Sequence, residues 1–291
     1  MRTPSGNLVG ACLMVCSMAA FTLNDACIKA LGPTIPLFQI LFLRGILSTL
    51  LVWSLARAVG PIKWRFPPKD WILVATRTLA EIAAAYFFLS ALYHIPLANL
   101  TAVMQILPLT VTLGGWLFFD EVVGWRRMSA ILIGFFGILL IVRPGSDGFD
   151  LYSFYALAAV VFVTIRDLST RRMSAETPSM TVTLVASVAI TLFSGIVGLN
   201  DAWVPLDIRQ VTLIAAAAVF ILGGYLFSVL VMRVGEVSFI APFRYTGLLW
   251  ALLLGFLVFG HWPDQLTLLG CVIVVVSGLF VFLRERELSV H

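Results

Sequence analysis

The chain has 291 residues, of which 60% are hydrophobic and 12% charged, and a formal net charge of +4. A soluble domain carries about 25% charged residues, and a core of this length cannot hide so much apolar surface from water. No basic cluster alternates with aromatics as a nucleic-acid surface requires, so lipid is the expected solvent.

In chain order, apolar segments of roughly 20 residues, the length that crosses a bilayer, fall at 8–31, 36–57, 70–92, 97–118, 126–143, 150–172, 178–199, 209–233, 238–260 and 265–284. Residues 3–24, 177–200 and 210–232 contain no Asp, Glu, Lys or Arg. Gly32-Pro33, Pro61 with Pro67-Pro68, Pro96, Pro144-Gly145, Pro178, Pro205 and Pro263 punctuate the connections. Arg2 ahead of the first run imitates a signal peptide, but Asp25 and Lys29 inside it and the spans that follow make it a first transmembrane helix. Strands are excluded because open edges go unsatisfied in hydrocarbon and the runs do not alternate. The expectation is an all-α polytopic membrane protein with ten transmembrane helices.

Lys and Arg set the orientation. With the N-terminus inside, Arg2, Arg57, Lys63, Arg65, Lys69, Arg126, Arg127, Arg171, Arg172, Arg233, Arg284 and Arg286 fall on the inner side. Only Lys29, Arg143 and Arg209 fall on the outer side. Such a bias predicts both termini in the cytoplasm. Cys12, Cys16, Cys27 and Cys271 lie in apolar segments without a CxxC pair and are expected to be buried packing residues. With His94, His261 and His291 scattered, no metal site is expected.

The chain repeats itself at a separation of about 140 residues. Phe21-Thr22-Leu23-Asn24-Asp25 with Lys29 aligns on Val163-Thr164-Ile165-Arg166-Asp167 with Arg171, and Pro36 on Pro178. Ala98 to Glu121 aligns without gaps on Ser238 to His261. An odd number of helices per half makes the second half enter from the opposite side, so the expected units are two inverted five-helix repeats, 1–145 and 146–291.

Leu117-Phe118-Phe119-Asp120-Glu121 is followed by Gly134-Phe135-Phe136-Gly137-Ile138-Leu139-Leu140 in one half, and Phe256-Leu257-Val258-Phe259-Gly260 by Gly270 and Ser277-Gly278 in the other. This pattern resembles the EamA family of the drug/metabolite transporter superfamily. The resemblance implies a bacterial-type inner-membrane secondary transporter that works by alternating access around a central cavity, without a cofactor. Nucleotide hydrolysis is not implied, and no GxxxxGK[ST] occurs. One departure stands out: Glu121 of the first half is replaced by His261 in the second.

Asp25, Arg44, Arg77, Glu81, Arg166, Asp167 and Arg244 are ionisable residues within spans. Each costs roughly 2.5–3.5 kcal/mol at a helix centre, so such groups mark a pathway or a paired network. Asp25 and Arg44 differ in depth by only ~3 Å at 1.5 Å per residue, which predicts an ion pair in the outer half. Arg77, Arg244 and Asp167 lie nearer the inner face, where they predict a counterpart, and Arg166 is expected to snorkel. Asp25, Arg44, Arg77 and Asp167 are therefore gating or ion-pair candidates. Glu81 is closest to the midplane and is the candidate for proton coupling.

Arg44, Glu81, Tyr86, Gln105, Arg244, Tyr245 and Trp250 are the candidate solute-binding residues, with Trp116 as a further ring. Gln105 and Tyr245 are equivalent under the repeat. Rings with nearby charge suit a heteroaromatic solute, with a vitamin such as riboflavin as the leading expectation and amino acids or their metabolites as the alternative. A membrane-embedded enzyme is disfavoured for want of a clustered His/Asp/Glu constellation, and a channel for want of a filter-like loop. Solute identity, direction of transport and oligomeric state stay open.

Overall fold

An unpaired backbone polar group is costly in hydrocarbon, so a chain this apolar satisfies its amides locally, as helix. The computed structural model of the protein describes residues 4–59, 67–121, 123–144, 150–174, 176–234 and 237–289, and their regular structure is entirely helical. Ten spans long and apolar enough to cross a membrane run from Asn7–Leu31 to Gln265–Arg284 among these residues. Arg2, Lys63 and Arg65 of the charge bias, with Pro61, Gly145 and His291, lie outside the described residues.

Eight spans are single helices: α1 (Pro4–Leu31), α2 (Leu37–Val59), α3 (Pro68–His94), α6 (Trp125–Val142), α7 (Leu151–Arg172), α8 (Ser179–Val197), α9 (Ile208–Val234) and α12 (Gln265–Ser289). Local side chains start several of them. Asp150 accepts from the Tyr152 and Ser153 amides at α7, and Asp207 and Gln210 exchange bonds of 2.7 and 2.9 Å at α9, a capping box. Asp264 accepts from the Thr267 amide at 2.8 Å to open α12.

The two remaining spans are broken, where 97–118 and 238–260 read as continuous. The first is α4 (Leu97–Met104) and α5 (Leu107–Phe119), and the second is α10 (Val237–Ile240), a tight turn over Ala241–Tyr245, and α11 (Thr246–Phe259). Pro108 and Pro242 sit just inside the segments resuming after each break. Proline lacks the amide the previous turn needs, and its ring crowds that turn's carbonyl. Both spans also close alike. Asp120 and Gly260 adopt left-handed φ of 54° and 66°. The next amide then reaches back six residues, Glu121 to the Gly115 carbonyl at 3.3 Å and His261 to that of Gly255 at 2.9 Å.

The halves pack as an exchange-symmetric pair. Swapping each helix for its counterpart converts α1 on α9 into α7 on α3, and α2 on α9 into α8 on α3. The contacts α2–α8 and α6–α12 map onto themselves, and α1 on α11 becomes α7 on α5. The repeats are inverted, as their ends show. Lys29 near the end of α1 donates to the Leu92 and Ile95 carbonyls that close α3, at 2.6 and 2.7 Å. His94 there stacks on Tyr152 with ring centroids 3.4 Å apart, so α7 begins where α1 ends. The start of α1 and the end of α12 therefore lie on one face of the bundle, the terminal face.

Trp71, Trp125, Trp203 and Trp262 are exposed near helix ends, as interfacial anchors are. Cys271 is buried as expected, whereas Cys12 and Cys16 are exposed. They continue a one-turn stripe from exposed Leu8 along the outward side of α1, where lipid is the neighbour. At the α6–α12 contact a methyl on Gly270 would stand 2.6 Å from the Gly137 carbonyl, a backbone approach only glycine permits.

Candidate functional site

α3 carries the charges of the site at its middle. Glu81 lies about 20 Å from either end of this helix at 1.5 Å per residue, and its side chain is 13% exposed. Its Oε1 is 3.2 Å from Nη1 of Arg166 on α7, and Oε2 is 3.6 Å from Nη2 of Arg77, one turn earlier on α3. Arg166 also meets Asp167 at 2.9 Å, and Arg77 donates through Nε to the Thr170 hydroxyl at 3.1 Å. Arg166 thus turns inward to bridge two carboxylates, where snorkelling was expected. An interfacial guanidinium would leave the part-buried Glu81 and Asp167 with less compensation.

A second relay lies on α1 and α2. Arg44, 9% exposed, donates to Asn24 Oδ1 at 3.2 Å, and Asn24 Nδ2 donates to Asp25 at 2.8 Å. The ion pair read from equal depth is therefore indirect, because the Asn24 amide occupies the space between the charges. Asn24 escaped sequence reading, although it aligns with Arg166.

Arg44, Arg77 and Glu81 line one cavity of about 60 Å³ with Ser48 and Tyr225 and the apolar Leu41, Val52, Ile190, Ile221 and Leu222. Its walls come from α2, α3, α8 and α9, two helices of each half. Arg77 Nη1, Glu81 Oε2 and Ser48 Oγ are buried there without a hydrogen-bond partner in the protein.

Towards the face opposite the termini opens a vestibule of about 530 Å³, lined by Phe38, Tyr86, Ser90, Tyr93, His94, Tyr152, Tyr155 and Asp201. On the vestibule wall Phe38 stacks on Tyr86 at 5.8 Å, and Tyr86 meets Tyr155 at 6.1 Å. The spacing of Tyr86 with Tyr93 and of Tyr152 with Tyr155 places each pair on one helical stripe, a signal present in the sequence. Nearer the terminal face Arg171 pairs with Glu121 at 2.9 Å. Asp70 there accepts from the Ser174 amide at 3.1 Å and from the Thr177 hydroxyl.

The remaining expected residues lie elsewhere. Gln105, at the break between α4 and α5, sits against α11, with its Nε2 3.6 Å from where a Gly247 methyl would stand. Tyr245 is buried against Gly278 of α12. Arg244 is exposed and Trp250 partly exposed, and Trp116 turns its ring outward, 43% exposed. None of the five lines the cavity or the vestibule. Among the described residues no group of three His, Cys, Asp or Glu is placed to hold a metal.

Ten spans in two inverted halves frame this charged cavity, and the family match and the names of its relatives point to a transporter rather than an enzyme. The chain belongs to the EamA-like transporter family, which it matches twice, over residues 8–143 and 151–283. It is 30% identical to the pseudopaline exporter of Pseudomonas aeruginosa, over 92% of this chain and 94% of that one. It is 29% identical to a riboflavin transporter of Vibrio cholerae, over 72% and 71% of the two chains. With an S-adenosylmethionine uptake transporter of Rickettsia bellii it shares 23% identity, over 96% and 95%. A solved crystal structure superimposes with a TM-score of 0.66 at 19% identity, covering 99% of both chains, which shows the fold. The protein is a multi-pass protein of the bacterial inner membrane that handles a small-molecule solute.

Proposed function

We propose that the protein is a secondary transporter moving a small organic metabolite by alternating access between repeats 1–145 and 146–291, with both termini in the cytoplasm. The observation that carries this reading is the midplane cavity, whose charged and polar groups are framed by α2 and α3 of one half and α8 and α9 of the other. A rocking motion between the halves would open this cavity to each face in turn. Arg44, Arg77, Glu81 and Tyr86 are the solute contacts of this reading, and the relays through Asp25 and Asp167 are its gating pairs.

A heteroaromatic solute such as riboflavin is the leading substrate, supported by the ring-lined vestibule and by the Vibrio cholerae relative. An amino-acid metabolite is the second reading, supported by the adjacent charges of Arg77 and Glu81 and by the pseudopaline exporter. Coupling to a proton gradient runs through Glu81 in this scheme, and pH-dependent flux that persists in Glu81→Gln rules that out. Proteoliposomes screened with labelled vitamins, amino acids and nucleosides test the whole proposal. Saturable flux that disappears in Arg44→Ala with the fold intact supports it; flux that rises linearly without saturation means a channel.

A further inference from the structure

We propose that the terminal face carries a binding site for the phosphodiester head group of an anionic phospholipid. The site lies where the α5–α6 turn of the first half meets the end of α7 in the second. It concerns the lipid around the protein and stands separately from any solute. α5 packs on α7 across the halves. Arg171 pairs with Glu121 at 2.9 Å, and the Arg172 guanidinium lies 4.3 Å over the Phe119 ring. These contacts seat the end of α7 on the turn, which runs on into Trp125, Arg126 and Arg127 at the start of α6.

Four arginines share this place with two carboxylates, Asp120 and Glu121, which leaves a surplus of two positive charges. Glu121 is committed to Arg171. Arg126 and Arg172 meet no carboxylate among the described residues and rest on rings instead, Arg126 at 5.5 Å from Trp125. A ring contact holds a guanidinium in place while its N–H donors stay available to an oxyanion. The planar fork of donors matches the oxygens of a phosphate.

A lipid needs an apolar wall as well. Phe118 is 70% and Trp125 74% exposed, both at span ends, the depth where aromatic rings meet the head groups. The fold itself does not demand the arginines. Under the repeat Phe119 corresponds to Phe259 and Arg171 to Lys29, and on the opposite face Lys29 lies 5.9 Å over the Phe259 ring. There, however, the ammonium is directed into the Leu92 and Ile95 carbonyls. The stretch from Gly260 to Thr267, which matches Asp120 to Arg127, carries no Lys or Arg. Of the two turns, the one at the terminal face alone adds basic residues, and an anionic leaflet attracts such a cluster.

The test uses purified full-length protein in neutral detergent, read by the shift of the melting midpoint. The probes are phosphatidylglycerol, phosphatidylcholine with the same acyl chains, and inorganic phosphate. Phosphatidylglycerol is expected to raise the midpoint where the other two do not. Arg126→Gln combined with Arg172→Gln should weaken its binding about tenfold or more. Arg57→Gln, which removes another exposed arginine of the terminal face, the one over Trp53, should leave it unchanged. Equal shifts by both lipids, or none, overturn the site. An equal loss in Arg57→Gln overturns it too, since the cluster is then only general surface charge. An equal response to inorganic phosphate overturns the lipid as occupant. Where the double variant fails to fold, phosphatidylglycerol with a photoactivatable group on its acyl chain decides. Labelling of residues 117–125 supports the site, and labelling that misses them overturns it.

Discussion

Asn24 stands between Arg44 and Asp25, and Arg166 stands between Glu81 and Asp167. These two mediators occupy equivalent positions of the repeat, one towards each face of the bundle. Hydrogen bonds to charged groups contribute about 1.5–3 kcal/mol. Asn24→Leu should therefore lower stability by about 2 kcal/mol, seen as a reduced melting midpoint in detergent. Glu81→Ala is expected to cost more, about 3 kcal/mol, because it strands the Arg166 and Arg77 guanidiniums. Adding Arg166→Met should recover part of that loss; a double variant as unstable as the sum of the singles would show the two residues uncoupled.

Outside the membrane, the Thr267 amide and the Arg143 guanidinium hold Asp264 below the usual carboxylate range. A lowered pKa means that the ionised form favours the fold. Its contribution is complete above the ordinary value of about 3.9 and fades as pH falls through the lowered one. Asp264→Asn should depress the melting midpoint at neutral pH and make no difference in acid below that lowered value. A difference independent of pH would assign the effect to something other than the charge.

At the scale of elements, the breaks in the fourth and ninth spans place Gln105 and Tyr245 at equivalent turns, each facing protein rather than the cavity. Discontinuous helices at matching places are a recurring device of transporters built from repeats. Outside these turns the scaffold packs closely. Gly137 and Gly270 let the α6 and α12 backbones approach within the reach of one methyl group. Overfilling that contact is expected to cost about 1–3 kcal/mol, so Gly137→Leu should lower the melting midpoint and loosen α6 from α12. Unaltered stability would mean that this contact is not tight in the membrane-embedded protein.

For the molecule as a whole, the exchange-symmetric pairing of helices gives two nearly equivalent ways to rock one half against the other. The Phe38–Tyr86 stack forms part of the vestibule wall in this arrangement. The His94–Tyr152 stack joins the end of α3 to the start of α7 across the halves. With the four native cysteines replaced, His94→Cys combined with Tyr152→Cys should form an oxidised cross-link that stops flux, and a reductant should restore it. Flux that continues through the cross-linked protein would mean that these ends do not separate during transport.

The helical class, the ten spans, the family and the inverted repeat are all legible in the sequence. Each depends on length, apolar content or spacing along one segment, and lipid enforces those one segment at a time. The capping aspartates at 150, 207 and 264 belong to the same local category. Partnership among the charges is different. Depth follows from counting residues, but direction around the helix depends on how each helix is rotated by its neighbours. Asp25 and Arg44 have the depth expected of them, yet an amide stands between them. Arg166 reaches Glu81 because α7 packs on α3 with that face turned inward. Arg244 points outward because the tight turn after α10 resets the helical phase. Local physical chemistry determined what the chain is made of, and only the packed bundle decided which charges meet.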